Sequence, residues 1–346
     1  MNVALIGYGY AGQTFHAPLI ESVPGLNLSL IISSKPEKVN KDLPDLLVCP
    51  KPEFAFESEK VDLIVIATPN DTHFDLCKRA LEAGKHVVVD KPFTTTASQA
   101  RELIELAEKK EVLLSIFHNR RYDADFLTLR RLLEKGILGQ ISHFESHFDR
   151  YRPHVKKRWR EQSIEGGGLW YDLGSHLVDQ ALQLFGAPES IQADLAVQRE
   201  EAEAVDYFHV VLRYGTTRVI LHASTLCAAE SARFIVHGNL GSYVKYGLDT
   251  QEESLKNARH KIDSPDWGLD EKNGILITYE KGNPKSVPVP TEKGDYASYY
   301  AAVKESIDNG APNPVSPNQA LTVMEIIELG YASELEAKRL DFTSSH

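Results

Sequence analysis

The sequence predicts an α/β chain in two parts. The first is a doubly wound parallel sheet, and the second is an α+β domain built on a large, mostly antiparallel sheet. Three observations point there. A short apolar strand at residues 2–6 runs into Gly7-Tyr8-Gly9-Tyr10-Ala11-Gly12 and then a helical stretch. Strands then alternate with helices up to about residue 117, which means parallel pairing with right-handed crossovers. Beyond residue 140 the pattern changes to long runs of period-two alternation broken by hairpin turns. At 346 residues the chain is longer than one core usually serves. The expected division is residues 1–120 and residues 121–346.

In chain order, residues 13–22 read as a helix with Phe15, Leu19 and Ser22 along one side, and residues 26–32 as the second strand. This strand-turn-helix-strand context is what a G-x-G-x-x-G needs to bind a dinucleotide, as in a Rossmann fold. Gly7 allows the tight turn, Gly9 lets the pyrophosphate approach the backbone, and Gly12 lets helix pack on strand. Residues 61–67 are a buried strand ending in Thr68-Pro69-Asn70-Asp71-Thr72-His73, and a helix follows to Ala83, capped by Gly84. Residues 86–90 are the next strand, 96–110 a helix and 112–117 another strand. In the second part, a helix spans 123–134. Strands follow at 141–150, 190–200, 207–214, 218–226, 233–238, 242–246 and 275–280. A helix at 175–185 interrupts them, residues 247–274 read as a long polar loop, and helices at 296–308 and 318–338 close the chain. Helices can cover one face of such a sheet, and the other is expected to pair subunits.

The composition is that of an ordinary globular protein, with 42% hydrophobic and 25% charged residues. A net charge of −11 argues against a nucleic-acid backbone or an anionic membrane as the main partner. Cys49, Cys77 and Cys227 form no spaced pair, which suits a reducing compartment. The first residues lack a basic region, and no apolar run approaches the length of a membrane span. A cytoplasmic protein is expected.

Four groups of residues could carry chemistry. The run Val87-Val88-Val89 stops at Asp90, and Pro92 ends the strand, which leaves Lys91 at the carboxyl end of a parallel sheet where ligands bind. A solvated turn lysine is the plain alternative. Asp172 and His176 lie four residues apart, close enough to share one helical face, where the carboxylate would orient the imidazole as a general base. A capping aspartate and a packed histidine would look the same. At Ser33-Ser34-Lys35 there is no acid at the tip of the second strand, where NAD-binding units usually hold the ribose. Two hydroxyls and a lysine would suit a 2′-phosphate instead; they would also suit a helix start. Finally, six of the eleven residues at 150–160 are Lys or Arg, which reads equally as a clamp on ligand oxygens or a solvated loop. Arg158 and Trp159 are the functional choices there. Metal is not expected, because His143 and His147 on one strand face stand roughly 13 Å apart at ~3.3 Å per residue. No P-loop Gly-Lys-Ser/Thr follows the glycines at 166–168, and no Gly-x-Ser-x-Gly supports a serine hydrolase.

Taken together, GYGYAG at 7–12, ATPNDTH at 67–73, DKP at 90–92, GGGLWYDLGSH at 166–176 and the tail from GDY at 294–296 resemble the glucose–fructose oxidoreductase/inositol dehydrogenase/rhizopine catabolism (Gfo/Idh/MocA) family over nearly the whole chain. Its usual Glu-Lys-Pro is Asp-Lys-Pro here. Within the family the chain looks most like the branch holding NADP-dependent scyllo-inositol dehydrogenase. The resemblance implies NADP, or else NAD, held by Gly7, Gly9, Tyr10, Ala11, Gly12, Ser33, Ser34, Lys35, Thr68, Pro69, Asn70, His73, Asp90, Lys91 and Asn119. It implies a sugar or cyclic polyol met by Lys91, Arg158, Trp159, Tyr171, Asp172 and His176. Catalysis would fall to Lys91, Asp172 and His176, with either Lys91 or His176 as formal base. It also implies a homo-oligomer, dimer or tetramer, and a cis Lys91–Pro92 bond. The same fold serves non-catalytic cofactor-binding regulators and NAD-dependent glycosidases, and these are the rival readings.

Overall fold

The computed structural model describes residues 1–156, 161–257 and 262–344. The chain folds into two compact units. One comprises Met1–Asn119, Gln251–Trp267 and Asp295–Leu321, and the other Arg120–Thr250, Gly268–Gly294 and Thr322–His346. The chain therefore leaves the first unit near residue 120 and returns to it twice.

The first unit holds six strands: β1 (Asn2–Ile6), β2 (Asn27–Ile32), β3 (Leu47–Cys49), β4 (Leu63–Ile66), β5 (His86–Asp90) and β6 (Leu114–Phe117). All their pairings are parallel, in the order β3-β2-β1-β4-β5-β6. Strand order reverses between β1 and β4, so the ligand crevice of such a sheet lies beyond their carboxyl ends. Strands β4 and β5 are almost wholly buried because crossover helices cover both faces, which is why they read as unbroken apolar runs. The Thr96 side chain accepts from the Gln99 amide and caps the helix Ala97–Lys110. Strand β3 is short and follows a polar segment, so periodicity does not reveal it.

Where a long loop was expected over residues 247–274, a short helix, Gln251–Asn257, forms. Its Gln251 side chain accepts from the Tyr296 amide at 2.7 Å, and Glu252 accepts from the Tyr10 hydroxyl at 2.7 Å. These tertiary bonds hold a segment too polar to show a helical period. The helix Ala297–Asn309 belongs to the same unit and brings Tyr299 and Tyr300 against Phe117 at the end of β6.

The second unit holds a nine-stranded sheet. In chain order its strands are β7 (Ile141–His147), β8 (Ser190–Ala196), β9 (Tyr207–Tyr214), β10 (Thr217–Ser224), β11 (Ala232–Gly238), β12 (Gly241–Tyr246), β13 (Gly274–Glu280), β14 (Asn283–Val289) and β15 (Leu340–Asp341). Their order in space is β14-β13-β12-β11-β7-β10-β9-β8-β15, and all pairs are antiparallel except β7 with β10. Sequence alternation did not reveal β14, whose Pro284 and Pro288 are tolerated because it is an edge strand. Alternation along β9 and β10 buries Phe208, Val210, Leu212, Val219 and Leu221 on one face. The opposite face carries Tyr207, His209, Ile220 and His222, which are half-buried. The buried face packs against helices, among them Ala124–Glu134, Ser175–Phe185 and the C-terminal part of Pro317–Glu336.

Candidate functional site

In the first unit the glycine turn follows β1 directly. Gly7 has φ +99°, and a Cβ there would stand 2.5 Å from the Ala67 carbonyl oxygen. A Cβ on Gly12 would stand 2.1 Å from the Gly7 carbonyl oxygen, whereas one on Gly9 would meet nothing within 4 Å. The first and third glycines are thus needed for close packing, and the second opens the backbone to a ligand. The chain then makes a π-helical turn, Gly12–His16, before the helix Ala17–Ser22, where a continuous α-helix was expected. Such turns recur at functional sites. Beside the turn lies a cleft of about 730 Å³, lined by Gly7, Gly9, Ser33, Ser34, Lys35 and Lys38 among others. Thr68 and Pro69, at the end of β4, form its other wall. The acids that line it, Asp71 and Asp75, follow β4 and do not occupy the tip of β2. An open glycine beside the cleft and a cationic corner at Lys35 and Lys38 together fit a dinucleotide.

Lys38 was not singled out from the sequence. It lies one turn beyond Lys35 in the helix Pro36–Asp42, and its Nζ donates to the Tyr8 carbonyl at 3.0 Å. The i, i+3 spacing from Lys35 was the available signal. Tyr10 is half exposed and donates to Glu252, while Asn70 and Asn119 are buried.

Lys91 follows β5, is buried, and joins Pro92 through a cis peptide, as the resemblance implied. Its amide donates to Asp90 Oδ1 at 2.8 Å. Behind Asp90 stands His16, fully buried, with Nε2 3.9 Å from Asp90 Oδ2 and Nδ1 2.5 Å from the Tyr300 hydroxyl. Burial first, then Tyr299 and Asp90, pushes the Tyr300 phenol well above its ordinary pKa. The phenol therefore keeps its proton, and the His16 ring stands between it and Asp90. Burial alone would raise the Asp90 pKa, but His16, Lys91 and His73 outweigh it and hold the carboxyl low. Sequence reading missed this placement of His16 behind Asp90; nothing in its local pattern separates it from any packed histidine.

His73 was expected at the cofactor. Its side chain is buried, with Nδ1 2.9 Å from the Pro92 carbonyl and Nε2 3.0 Å from the Thr68 carbonyl. Both ring nitrogens are occupied by main chain, so His73 ties the end of β4 to the Lys91–Pro92 turn.

In the second unit, Asp172 lies in a π-helical turn, Trp170–Gly174, and His176 in the first turn of the helix Ser175–Phe185 that continues it. Trp170 sets this turn. It is fully buried, donates from Nε1 to the Ile327 carbonyl at 3.0 Å, and lies where a Cβ on Gly174 would meet its ring at 2.2 Å. Glycine at 174 is therefore a packing requirement. His176 is buried and Asp172 half-buried. Tyr171 is buried with its ring 5.6 Å from that of Tyr331; burial foremost, with Glu328 and Glu165, pushes its pKa up to about 12. Lys91 belongs to the first unit, and Tyr171, Asp172 and His176 to the second. Arg158 and Trp159 lie outside the described residues.

Residues 1–118 match the family profile described as oxidoreductase family, NAD-binding Rossmann fold, and residues 130–342 match the oxidoreductase family, C-terminal alpha/beta domain. The chain belongs to the Gfo/Idh/MocA oxidoreductase family. Within it, an uncharacterized oxidoreductase of Escherichia coli is 55% identical over 96% of each chain. The NADP(+)-dependent scyllo-inositol 2-dehydrogenase of Bacillus subtilis is 39% identical over 98% of this chain and 95% of that one. A solved oxidoreductase structure from Yersinia pestis, 52% identical, superposes with a TM-score of 0.96 over 100% of this chain and 98% of the other. Like these relatives, the protein is an oxidoreductase with an NAD(P)-binding Rossmann domain. Among the described residues, no helix is long and apolar enough to cross a membrane.

Proposed function

We propose that this oxidoreductase uses NADP to oxidise a secondary hydroxyl of a sugar or inositol-like cyclic polyol. The full-length likeness to an enzyme named for scyllo-inositol and NADP(+) supports this most directly. The residues support it as well: Lys91, Asp172 and His176 are all present, and a regulator that only binds cofactor would not need the three together. Gly7, Gly9 and Gly12 would hold the pyrophosphate, and Ser33, Ser34, Lys35 and Lys38 the 2′-phosphate. The nicotinamide held there would supply the hydride acceptor for the substrate carbon. His176 takes the hydroxyl proton, and Asp172 orients the imidazole and stabilises its charged form. Lys91 donates a hydrogen bond to the reacting oxygen as charge develops there. Tyr171, Arg158 and Trp159 belong to the substrate's surroundings in this proposal.

The cofactor half is tested by the dissociation constants of NADP and NAD for wild type and Ser33→Asp. The wild type should prefer NADP. The variant should lose about tenfold to a hundredfold in NADP affinity, ~1.4–2.8 kcal/mol, because a carboxylate there repels a 2′-phosphate and suits a ribose hydroxyl. Equal or tighter NAD binding by the wild type, or a variant that keeps its NADP preference, would sink the assignment.

The substrate half is tested by a dehydrogenase screen of neutral polyols, sugars and 2-hydroxy acids with both cofactors. Activity confined to the charged acids overturns it. A further part of the proposal is that the half-buried face of the nine-stranded sheet pairs subunits, so that a dimer or tetramer sediments at micromolar concentration. A monomer there would contradict it.

A further inference from the structure

The open face of the nine-stranded sheet carries a row of histidines that the oxidoreductase reaction does not use. His147 on β7 is the register partner of His222 on β10, which is the partner of His209 on β9, which in turn faces Asp194 on β8. Register partners project from the same face, so one rung across four strands holds an aspartate and three histidines. The His147 and His222 rings lie 5.1 Å apart, and those of His209 and His222 5.5 Å. Asp149 comes from just beyond the end of β7. Its Oδ2 is 3.5 Å from His147 Nδ1, and its Oδ1 is 3.4 Å from His222 Nε2.

We propose that His147, Asp149 and His222 bind a divalent transition-metal ion of the zinc class. Ligand atoms of the three lie within 4.8 Å of one another. Around a zinc with bonds of about 2.0–2.1 Å, tetrahedral ligand atoms stand roughly 3.3–3.4 Å apart. Each histidine–aspartate separation is close to that edge, though the two are made to different oxygens of Asp149, so a small rotation of the carboxylate brings one oxygen to both imidazoles. Both separations are long for hydrogen bonds, and His147 Nδ1 is buried with no hydrogen-bond partner among the described residues. The surrounding groups are those that orient metal ligands. His147 Nε2 is 2.7 Å from Glu145 Oε2, a carboxylate behind the imidazole that leaves Nδ1 to face Asp149. Asp149 is fixed by the Ser224 amide at 3.0 Å and the Ser231 hydroxyl at 2.6 Å. In the single chain His147 and His222 each keep 17% of their side-chain surface exposed, which leaves a fourth position for water or for a group of a paired subunit. Two imidazoles and one carboxylate are a donor set that suits zinc and excludes magnesium or calcium, which prefer all-oxygen sites.

The test uses the full chain, stripped with EDTA and dialysed, with metal uptake read by elemental analysis and the Co²⁺ form by its visible absorption. Wild type should retain about one equivalent of Zn²⁺ at micromolar concentration, and its Co²⁺ form should show the intense bands of four-coordination. Asp149→Asn and His222→Ala should each bind at least a hundredfold more weakly while still binding NADP. His237→Ala, on the same face but outside the trio, should keep its equivalent. Circular dichroism identifies any variant that fails to fold, and the Co²⁺ spectrum of wild type decides the matter without variants. Uptake well below one equivalent, equal uptake by wild type and Asp149→Asn, or a six-coordinate Co²⁺ spectrum would each overturn the site and leave the cluster as an ion-pair network.

Discussion

Lys91→Ala is expected to lower kcat by about two to three orders of magnitude, the scale of losing one transition-state donor or acid–base group. The side chain stands at the carboxyl end of β5, with Asp90 bonded to its own amide and His16 behind Asp90. Its backbone is thus fixed from one side by a dry strand and from the other by the His73 bond to the Pro92 carbonyl. NADP affinity should change far less, because the turn at Gly7–Gly12 and the corner at Ser33, Ser34, Lys35 and Lys38 supply most of the cofactor contacts in the proposed function. His176→Ala should lower kcat comparably. The double variant should be little worse than either single one, since residues that act as a unit are not additive. The deciding measurement is steady-state kinetics of Lys91→Ala with saturating NADP and the best polyol from the screen. A variant that keeps more than about a third of wild-type kcat, a change well under 1 kcal/mol, removes Lys91 from catalysis and favours a cofactor-binding regulator.

The first unit was largely legible because its signals are local. β5 announces itself by three consecutive valines, its end by Asp90 and Pro92, and the nucleotide turn by three glycines at fixed offsets. Each reflects a backbone requirement, and the close approaches at Gly7 and Gly12 show what that requirement is. The π-helical form of the Gly12–His16 turn was not legible, because a five-residue widening keeps the composition of an α-helix. His16 and Tyr300 meet from opposite ends of the chain, and no spacing in a single sequence reports that pair.

In the second unit, alternation located most strands and correctly implied a sheet with one buried and one open face. It could not supply register. His143 and His147 on one strand are too far apart to share an ion, but the pairing of β7 with β10 places His222 beside His147. The parallel pairing of that one strand pair is likewise invisible to periodicity, which is the same for both senses. Residues 251–257 show the converse, a helix selected by tertiary bonds to Tyr10 and Tyr296 in a segment without an apolar stripe.

Asp125→Ala should destabilise the second unit by about 3–5 kcal/mol, the usual cost of stranding one member of a buried ion pair. Arg233 is almost wholly buried on β11, and Asp125, in the first turn of the helix Ala124–Glu134, is fully buried. Arg233 Nε donates to Asp125 Oδ2 at 3.1 Å, Nη1 to the Ser146 hydroxyl at 2.6 Å, and Nη2 to the Gln180 side-chain Oε1 at 2.8 Å. The guanidinium lies 4.1 Å from the Phe234 ring centroid, so an apolar wall excludes water on that side. Burial pulls the Arg233 pKa down, and Asp125 and Asp123 oppose it. With Asp125 gone, the cation keeps its burial and loses its nearest counter-charge. Pairing Asp125→Leu with Arg233→Met should be no worse than Asp125→Ala alone, because the charge leaves with its partner, although Ser146 and Gln180 then lose a donor. The measurement is calorimetric unfolding. At roughly 2–4 °C per kcal/mol for a unit of this size, Asp125→Ala should lower the corresponding transition by about 6–20 °C. A loss below about 1 kcal/mol would mean that the guanidinium reaches water or another carboxylate, and that the helix–sheet contact rests on the aromatic packing around Arg233 rather than on its charge.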